Sequence, residues 1–288
     1  MSEKIKPNYL ITFLFPIFVL KLIFLFWLIF SVETFAGSMG SDIGDIHLSD
    51  PDIINCEYKV IEAAYTPRIK NQLELAKASL ETKDYHNAYL LLKPIADKGH
   101  MVAQTIIGNM HELNQGGAEL SDYKARQYYE KAACQGYAEA NYHLAVIYYY
   151  GHSTIRHKGI AYNYFVKAAE LGDSNGMHNA GAMTLFGDGI EVDEKQAVYW
   201  FNKAAAQRNS YSMFNLGISY FNGVGVKKDI LKAYMWFDLA HFFENERALE
   251  WKELLESEHL TFSDIKEAYK MSEQCAGKGF IDCGQREI

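Results

Sequence analysis

The strongest constraint on the fold is a pattern that returns every 36 residues through much of the chain. A Lys-Ala-Ala triplet begins at Lys131 and recurs at Lys167 and Lys203. Pairs of aromatic residues keep the same spacing, at 128/129, 164/165, 200/201 and 236/237. Such a period is typical of repeat proteins, in which one repeat alone cannot bury its hydrophobic face. The sequence therefore predicts a stacked array of similar units.

Each unit has the pattern of two helices joined by a glycine turn. The first helix carries Leu-Gly-x-x-Tyr, which is complete at Leu216–Tyr220, and the turn carries Gly-x-Gly, as at Gly223–Gly225. Glycine favours such turns because it adopts left-handed backbone angles without strain. The second helix has apolar residues at i, i+3, i+4 and i+7: Ala197, Trp200, Phe201 and Ala204. These patterns predict an all-α fold, an α/α superhelix (solenoid) of helix–turn–helix repeats.

The segment Gly223–Phe237 also resembles the consensus of the Sel-1-like repeats, which are relatives of the tetratricopeptide repeat. His111 and Thr184 occupy positions where the family usually has tyrosine, Arg208 replaces a glycine, and His152–Lys158 lacks the second turn glycine. The resemblance nevertheless extends from about Asn71 to Cys275. It implies a solenoid domain over 69–276, followed by a C-terminal tail at 277–288. The implied units are a helical hairpin at 69–99, repeats at 102–136, 138–172, 174–208 and 210–243, and a capping hairpin at 244–276.

The N-terminus predicts export from the cytoplasm. Residues 9–30 are almost wholly apolar, and Lys4 and Lys6 precede them. Residues 1–36 are then either a signal peptide cleaved after Ala36 or an uncleaved membrane anchor, since about 20 apolar residues span a bilayer. Both interpretations place the remainder in the periplasm, in the envelope or outside the cell. Residues 37–68 have the composition of a flexible linker.

Charge and cysteine content limit the functions that the chain can have. It holds 28 basic and 36 acidic residues, a net charge of −8, which argues against a nucleic-acid binder. No Cys-x-x-Cys pair is present, so the sequence has neither a zinc knuckle nor a thioredoxin motif. Cys275 and Cys283 bracket a short glycine-containing loop and form a possible disulfide, although pairing through Cys56 stays open. Cys134 is predicted to be a small buried hydrophobic residue.

Short motifs that suggest catalysis are better explained as parts of helices. Ser-x-x-Lys, the nucleophile motif of penicillin-recognising enzymes, occurs at Ser121 and Ser263, but both serines lie at helix starts. His111 lacks the second histidine of a zinc protease motif, and His152 and His157 lie in an irregular turn. We therefore expect no catalytic residue, no cofactor and no metal, and a protein that is not an enzyme.

The resemblance implies a binding role, because the first helices of tetratricopeptide relatives line a concave groove. The implied groove residues are Asn109, Tyr142, Tyr149, His178, Phe214 and Phe221. The other interpretation is that these side chains pack between neighbouring first helices. The first interpretation predicts a monomeric, non-catalytic scaffold that binds a protein or peptide in the bacterial envelope or on a host cell. Two alternatives remain, namely a β-lactamase-like hydrolase, an activity described for disulfide-rich relatives, and a structural subunit tethered to the membrane through residues 9–30.

Overall fold

The computed structural model describes residues 66–281 and residue 283 of the 288-residue chain. Within those residues the structure has twelve α-helices and no β-strand, which confirms the all-α prediction. In chain order they are α1 (Pro67–Glu81), α2 (Tyr85–Asp97), α3 (Met101–Glu112), α4 (Asp122–Ala133), α5 (Ala138–Tyr150), α6 (Lys158–Glu170), α7 (Ser174–Phe186), α8 (Glu194–Ala206), α9 (Ser210–Asn222), α10 (Ile230–Phe242), α11 (Glu246–Glu258) and α12 (Phe262–Gly277).

The expectations for the N-terminal segment lie outside the described residues. These are the signal peptide or anchor at 1–36 and the linker as far as residue 65. The last three residues assigned to the linker do not belong to one, because the Thr66 side chain caps α1 and the helix begins at Pro67. No helix within the described part of the chain is long and apolar enough to cross a membrane.

Each helix from α2 to α11 packs against the one before it, whereas α12 packs against α10. In the central repeats α3, α5, α7 and α9 are first helices, and α4, α6, α8 and α10 are second helices. A hairpin of α1 and α2 precedes them, and a hairpin of α11 and α12 follows. Because α10 packs against both α11 and α12, the last repeat is covered by a complete hairpin.

Close contact between the two helices of a repeat depends on a glycine in the first helix. A Cβ atom added to Gly217 would lie 2.5 Å from Cε1 of Phe237, and one added to Gly181 would lie 2.8 Å from Cε1 of Phe201. Both rings are fully buried, so neither has space to move away. The repeated glycine therefore leaves open the space that the ring of the second aromatic residue of each pair occupies.

The turns show where the repeats agree and where one departs. Gly151, Gly187 and Gly223 end the first helices in the left-handed conformation, with φ of 79°, 67° and 81°. In the irregular second repeat His157 caps α6 through its ring, because Nδ1 accepts a hydrogen bond from the Ile160 N–H at 3.1 Å. In the next two repeats the carboxylates of Asp193 and Asp229 cap α8 and α10 by accepting the corresponding backbone hydrogen bond.

Two of the three described cysteines form the disulfide suggested by the sequence, and the third differs from its prediction. Cys275 and Cys283 form a disulfide bond, the pairing that the spacing of these residues suggested. The prediction for Cys134 was wrong, because this residue is disulfide-bonded and only half-buried. It lies at the C-cap of α4, where the helix ends and the packed stripe no longer covers the side chain. No cysteine of the described part of the chain is free.

Candidate binding surface

One side of each first helix is exposed or only partly buried, at positions spaced i, i+4, i+7 and i+11. We call these residues the first-helix face. From α5 to α11 they are Glu139, His143, Val146 and Tyr150; Asn175, Asn179, Ala182 and Phe186; Tyr211, Asn215, Ile218 and Asn222; and Arg247, Trp251, Leu254 and Glu258. Because corresponding residues are 36 apart, they form four rows that run across the helices.

The rows differ in chemistry. The central row is apolar and half-buried, and it consists of Val146, Ala182, Ile218 and Leu254. The row beside it holds His143, Asn179, Asn215 and Trp251. The two outer rows contain the most exposed aromatic rings of the face, with Tyr150 at 63%, Phe186 at 66% and Tyr211 at 65% exposure. The face therefore offers apolar contact along its middle and amide groups next to it.

Asn109 is the one residue of the predicted groove that lies within these rows. It occupies the position of Val146, displaced by one residue as the α3 sequence is. Asn109 lines a cleft of about 200 Å³ between α1, α3 and α5. The rest of the lining is Leu80, Thr105, Ile106, Met110, Gln115 and Glu139. The cleft is thus a recess of mixed polarity at the N-terminal end of the first-helix face.

Three predicted groove residues lie beside the face and pack between helices. Phe214 is only 6% exposed, and its ring centre lies 5.5 Å from that of Phe237, so it cannot act as an open anchor. The imidazole Nδ1 of His178 lies 3.0 Å from Ser212 Oγ on the next first helix, and burial lowers the His178 pKa to about 4. Tyr142 is half-buried against Phe165.

The other two predicted residues connect successive repeats. The Tyr149 hydroxyl donates a hydrogen bond of 2.7 Å to Asp188 Oδ2 in the next turn, and Lys158 forms an ion pair with the same carboxylate. Burial and this hydrogen bond raise the pKa of Tyr149 to about 12. Phe221 packs edge-on against Trp251, with ring centres 5.3 Å apart. These contacts favour the packing interpretation for both residues.

A cluster of polar side chains, distinct from the Tyr149–Asp188–Lys158 contacts, lies where α3, α4 and α5 meet. The Tyr129 hydroxyl donates to Glu112 Oε2 at 2.6 Å, and the His143 ring stacks on Tyr129 at 4.5 Å. Glu112 and Glu139 lie 3.9 Å and 4.0 Å from the two ring nitrogens of His143. Burial lowers the His143 pKa although these carboxylates oppose the shift, so this histidine is neutral at pH 7.

The serine and histidine motifs occupy structural positions. Ser121 caps α4, where its Oγ accepts a hydrogen bond from the Lys124 N–H at 3.3 Å, and the Lys124 ammonium pairs with Glu119 at 2.6 Å. The buried His111 ring bonds to the Glu119 carbonyl at 2.8 Å. Ser263 lies in the first turn of α12 and is exposed. Over residues 66–281 and 283, no group of three or more His, Cys, Asp or Glu side chains could hold a metal ion.

Comparison with known families agrees with this repeat geometry. The model of the Sel1 repeat matches residues 102–137, 138–173, 174–209 and 210–240. The chain belongs to the Sel1 repeat family. Sel1 repeats typically mediate protein–protein interactions. None of the curated proteins compared with the sequence matches it significantly.

Solved structures of bacterial proteins are similar to the chain. A Sel1 repeat protein from Oxalobacter formigenes is 30% identical with a TM-score of 0.56, over 60% of this chain and 49% of its own. A protective antigen of uropathogenic Escherichia coli strains is 26% identical with a TM-score of 0.46, over 73% and 54%. Cysteine-rich protein B of Helicobacter pylori is 25% identical with a TM-score of 0.36, over 44% and 96%. The chain spans about half the length of the first two proteins.

Proposed function

We propose that this protein is an exported, non-catalytic scaffold whose first-helix face binds a protein partner in the bacterial envelope or on a host cell. The observation that carries the proposal is the face itself, because four apolar residues recur on it at a fixed spacing and remain only half-buried. Apolar residues that stay partly exposed along one side of a repeat array are candidates for an interaction site. Stacked repeats also make such a surface long enough to hold an extended or helical segment.

Export is supported by the state of the cysteines. Cys134, Cys275 and Cys283 are all disulfide-bonded. Disulfides persist in the periplasm and outside the cell, whereas cytosolic thiols are kept reduced. The apolar segment at 9–30, which follows two lysines, supplies the signal that such a location requires.

A non-catalytic role is supported by the positions of the candidate nucleophiles. The Lys124 ammonium, which would have to activate Ser121, is paired with Glu119 instead. Ser121 itself accepts a backbone hydrogen bond at a helix start. Ser121 Oγ and the Lys124 ammonium are thus each engaged in another interaction, whereas nucleophilic catalysis depends on a base that activates the serine.

Export is tested on protein isolated from the native cell without reduction. We expect alkylation to label none of the three described cysteines, and intact mass to reveal whether the chain begins at Gly37 or retains residues 1–36. A start at Gly37 identifies a cleaved signal peptide, and an intact N-terminus identifies an anchor. Recovery of the protein in the cytosol with alkylated Cys275 and Cys283 would contradict export.

Binding is tested by capturing partners on the full chain and identifying them by mass spectrometry. The variant Ile218→Glu places a charge in the central row, and the matched control Leu90→Glu places one on the exposed side of the second helix α2. The partner should be recovered with the wild-type chain and the control but not with Ile218→Glu. Equal recovery with all three proteins would show that the first-helix face is not the binding surface.

A further inference from the structure

Cys134 has its disulfide partner outside the described residues. The chain holds four cysteines, and the pair of Cys275 and Cys283 accounts for two of them. Cys134 is disulfide-bonded as well. Within one chain Cys56 is then the remaining partner, and a second copy of the chain is the alternative source of a thiol.

The end of α4 lies at the edge of the solenoid where α1 begins. The Gln135 side chain donates to Gln104 Oε1 at 2.9 Å, and the Gln104 amide donates at 3.2 Å to the Ala96 carbonyl in the last turn of α2. A three-residue turn joins α1 to α2, so α1 begins at the edge where α2 ends. The chain from Cys56 to the start of α1 spans up to about 35 Å when extended, and neighbouring helices lie about 10 Å apart. The segment before α1 can therefore reach Cys134 across one repeat.

A cleft of about 330 Å³ opens beside Cys134, between the end of α4 and the helices α5 and α6. Asn141 on α5 and Tyr164 on α6 line it, and both are buried. Asn141 occupies the position that Met177 has in the next repeat, and Tyr164 occupies the position of Trp200. Both side chains are smaller than their counterparts, which leaves space at this junction between repeats.

The sequence around Cys56 has an alternation that fits this cleft. In an extended chain every second side chain points to the same side. Ile54 and Tyr58 would therefore share the side of Cys56, and polar residues fall between them. The cleft offers an apolar counterpart in Leu171, which lines it and is 49% exposed. An extended segment bonded through Cys56 would cover that exposed side chain.

We propose that a disulfide bond joins Cys56 to Cys134 and seats residues 54–58 in the cleft. The bond forms between the two sulfur atoms when each thiol loses its proton and the pair of thiols loses two electrons. A disulfide-bonded oxidoreductase of an oxidising compartment takes up the electrons and is reduced to a dithiol, as it is when the Cys275–Cys283 bond forms.

The bond attaches the N-terminal segment to the second helix α4 as well as to the start of α1. The apolar residues 9–30 are then connected to the solenoid through a shorter stretch of chain, residues 31–55. None of the described residues that line the cleft belongs to the first-helix face, so the face stays open to a partner.

Peptide mapping tests the bond on the full chain, isolated from the native cell without reduction, alkylated and then digested with trypsin. The peptide of residues 132–156 should be linked to the peptide that ends at Lys59. Cys134 alkylated in a chain that keeps the Cys275–Cys283 bond would overturn the inference, and so would the peptide 132–156 linked to a second copy of itself. Loss of both bonds would contradict export as well.

The variant Cys56→Ser supplies the control. In this variant Cys134 should become open to alkylation, whereas Cys275 and Cys283 should stay bonded to each other. A Cys134 that remains bonded in the absence of the Cys56 thiol would have another partner, and the proposed pairing would be wrong.

The rate at which dithiothreitol reduces the bond under native conditions tests the cleft. The double variant Asn141→Met with Tyr164→Trp fills the cleft with the side chains that the next repeat has at these positions. A segment displaced from the cleft exposes its disulfide, so the Cys56–Cys134 bond should be reduced about tenfold faster in this variant. The disulfide at the end of α12 in the same sample should keep its rate. An unchanged rate for both bonds would show that the segment does not occupy the cleft.

Discussion

Single residues set how closely the helices of a repeat approach. Gly217 lies against the buried Phe237 ring, and the same contact recurs between Gly108 and Tyr129 and between Gly181 and Phe201. In each case an added Cβ atom would come within 3 Å of an aromatic carbon. Glycine is therefore needed at these positions, because an aromatic ring of the second helix already occupies the space that a side chain would fill.

Gly217→Ala should lower the free energy of unfolding by about 1–3 kcal/mol, because a methyl group would be forced into a filled core. Gly277→Ala is the matched control, since an added Cβ there has no atom within 4 Å. At that helical position alanine should stabilise the protein slightly or leave it unchanged. Urea denaturation of the two variants measures the difference, and equal stability would show that the glycine contact does not limit packing.

His178 makes stability depend on pH. Burial lowers its pKa to about 4, against about 6.5 in an unfolded chain. Between these values the unfolded chain binds more protons than the folded chain, so stability present above pH 6.5 is lost as the pH falls toward 4. At pH 4.5 the loss attributable to this residue should be about 2–3 kcal/mol.

The variant His178→Phe should remove that share of the pH dependence. Phenylalanine occupies the corresponding position at residue 214, so the site accepts an aromatic ring. His152→Gln, at an exposed position, is the control. Denaturation at pH 7.5 and pH 4.5 gives the two stabilities, and a wild-type pH dependence retained by His178→Phe would contradict the assignment.

At the scale of elements, a buried ion pair attaches the last hairpin to the repeats. The Lys252 ammonium on α11 donates to Asp238 Oδ1 on α10 at 2.6 Å and lies 3.4 Å from the Tyr269 hydroxyl on α12. Burial opposes the charge of Lys252, but the hydrogen bonds and charge interactions with Asp238 and Tyr269 together outweigh burial, so the pKa of Lys252 is raised. Three helices thus meet at one buried cation.

Lys252→Met should destabilise the protein by about 3–5 kcal/mol, because the Asp238 carboxylate would stay buried without a partner. The double variant Lys252→Met with Asp238→Asn should recover part of that loss, since no charge is then left unpaired. Thermal unfolding of the single and double variants tests this. A single variant as stable as the wild-type chain would mean that the pair does not attach the hairpin.

The elements could be predicted from the sequence far better than the site. The 36-residue period and the turn glycines were enough for the helices and for the fold, because both follow from local patterns. The predicted groove positions mostly lie one residue before those of the first-helix face: Phe214 was predicted to line the groove, but it is buried, and the next residue, Asn215, lies on the face. One position rotates a side chain by about 100° around a helix, and only packing against neighbouring repeats decides which side remains open. The disulfide of Cys134 was missed because the repeat pattern alone does not show which cysteines form disulfides.

For the whole molecule, similar units that contact mainly their neighbours produce one continuous surface. The first-helix face crosses α5, α7, α9 and α11, so its binding properties belong to the array and not to any single repeat. The net charge of −8 lies largely off this face, which carries Glu139, Glu258 and Arg247 as its fully charged residues. An apolar and amide-rich surface on an otherwise acidic protein favours a polypeptide partner.

The most direct measurement is the dissociation constant of the native partner for four proteins: the wild-type chain, Val146→Glu, Ile218→Glu and Leu90→Glu. A charge in the central row should weaken binding by about 2 kcal/mol or more, which is roughly thirtyfold. The control should bind within a factor of two of the wild-type chain, and all four should have the same helical circular dichroism. Wild-type affinity for both central-row variants, or an equal loss for Leu90→Glu, would contradict the assignment of the first-helix face as the binding surface.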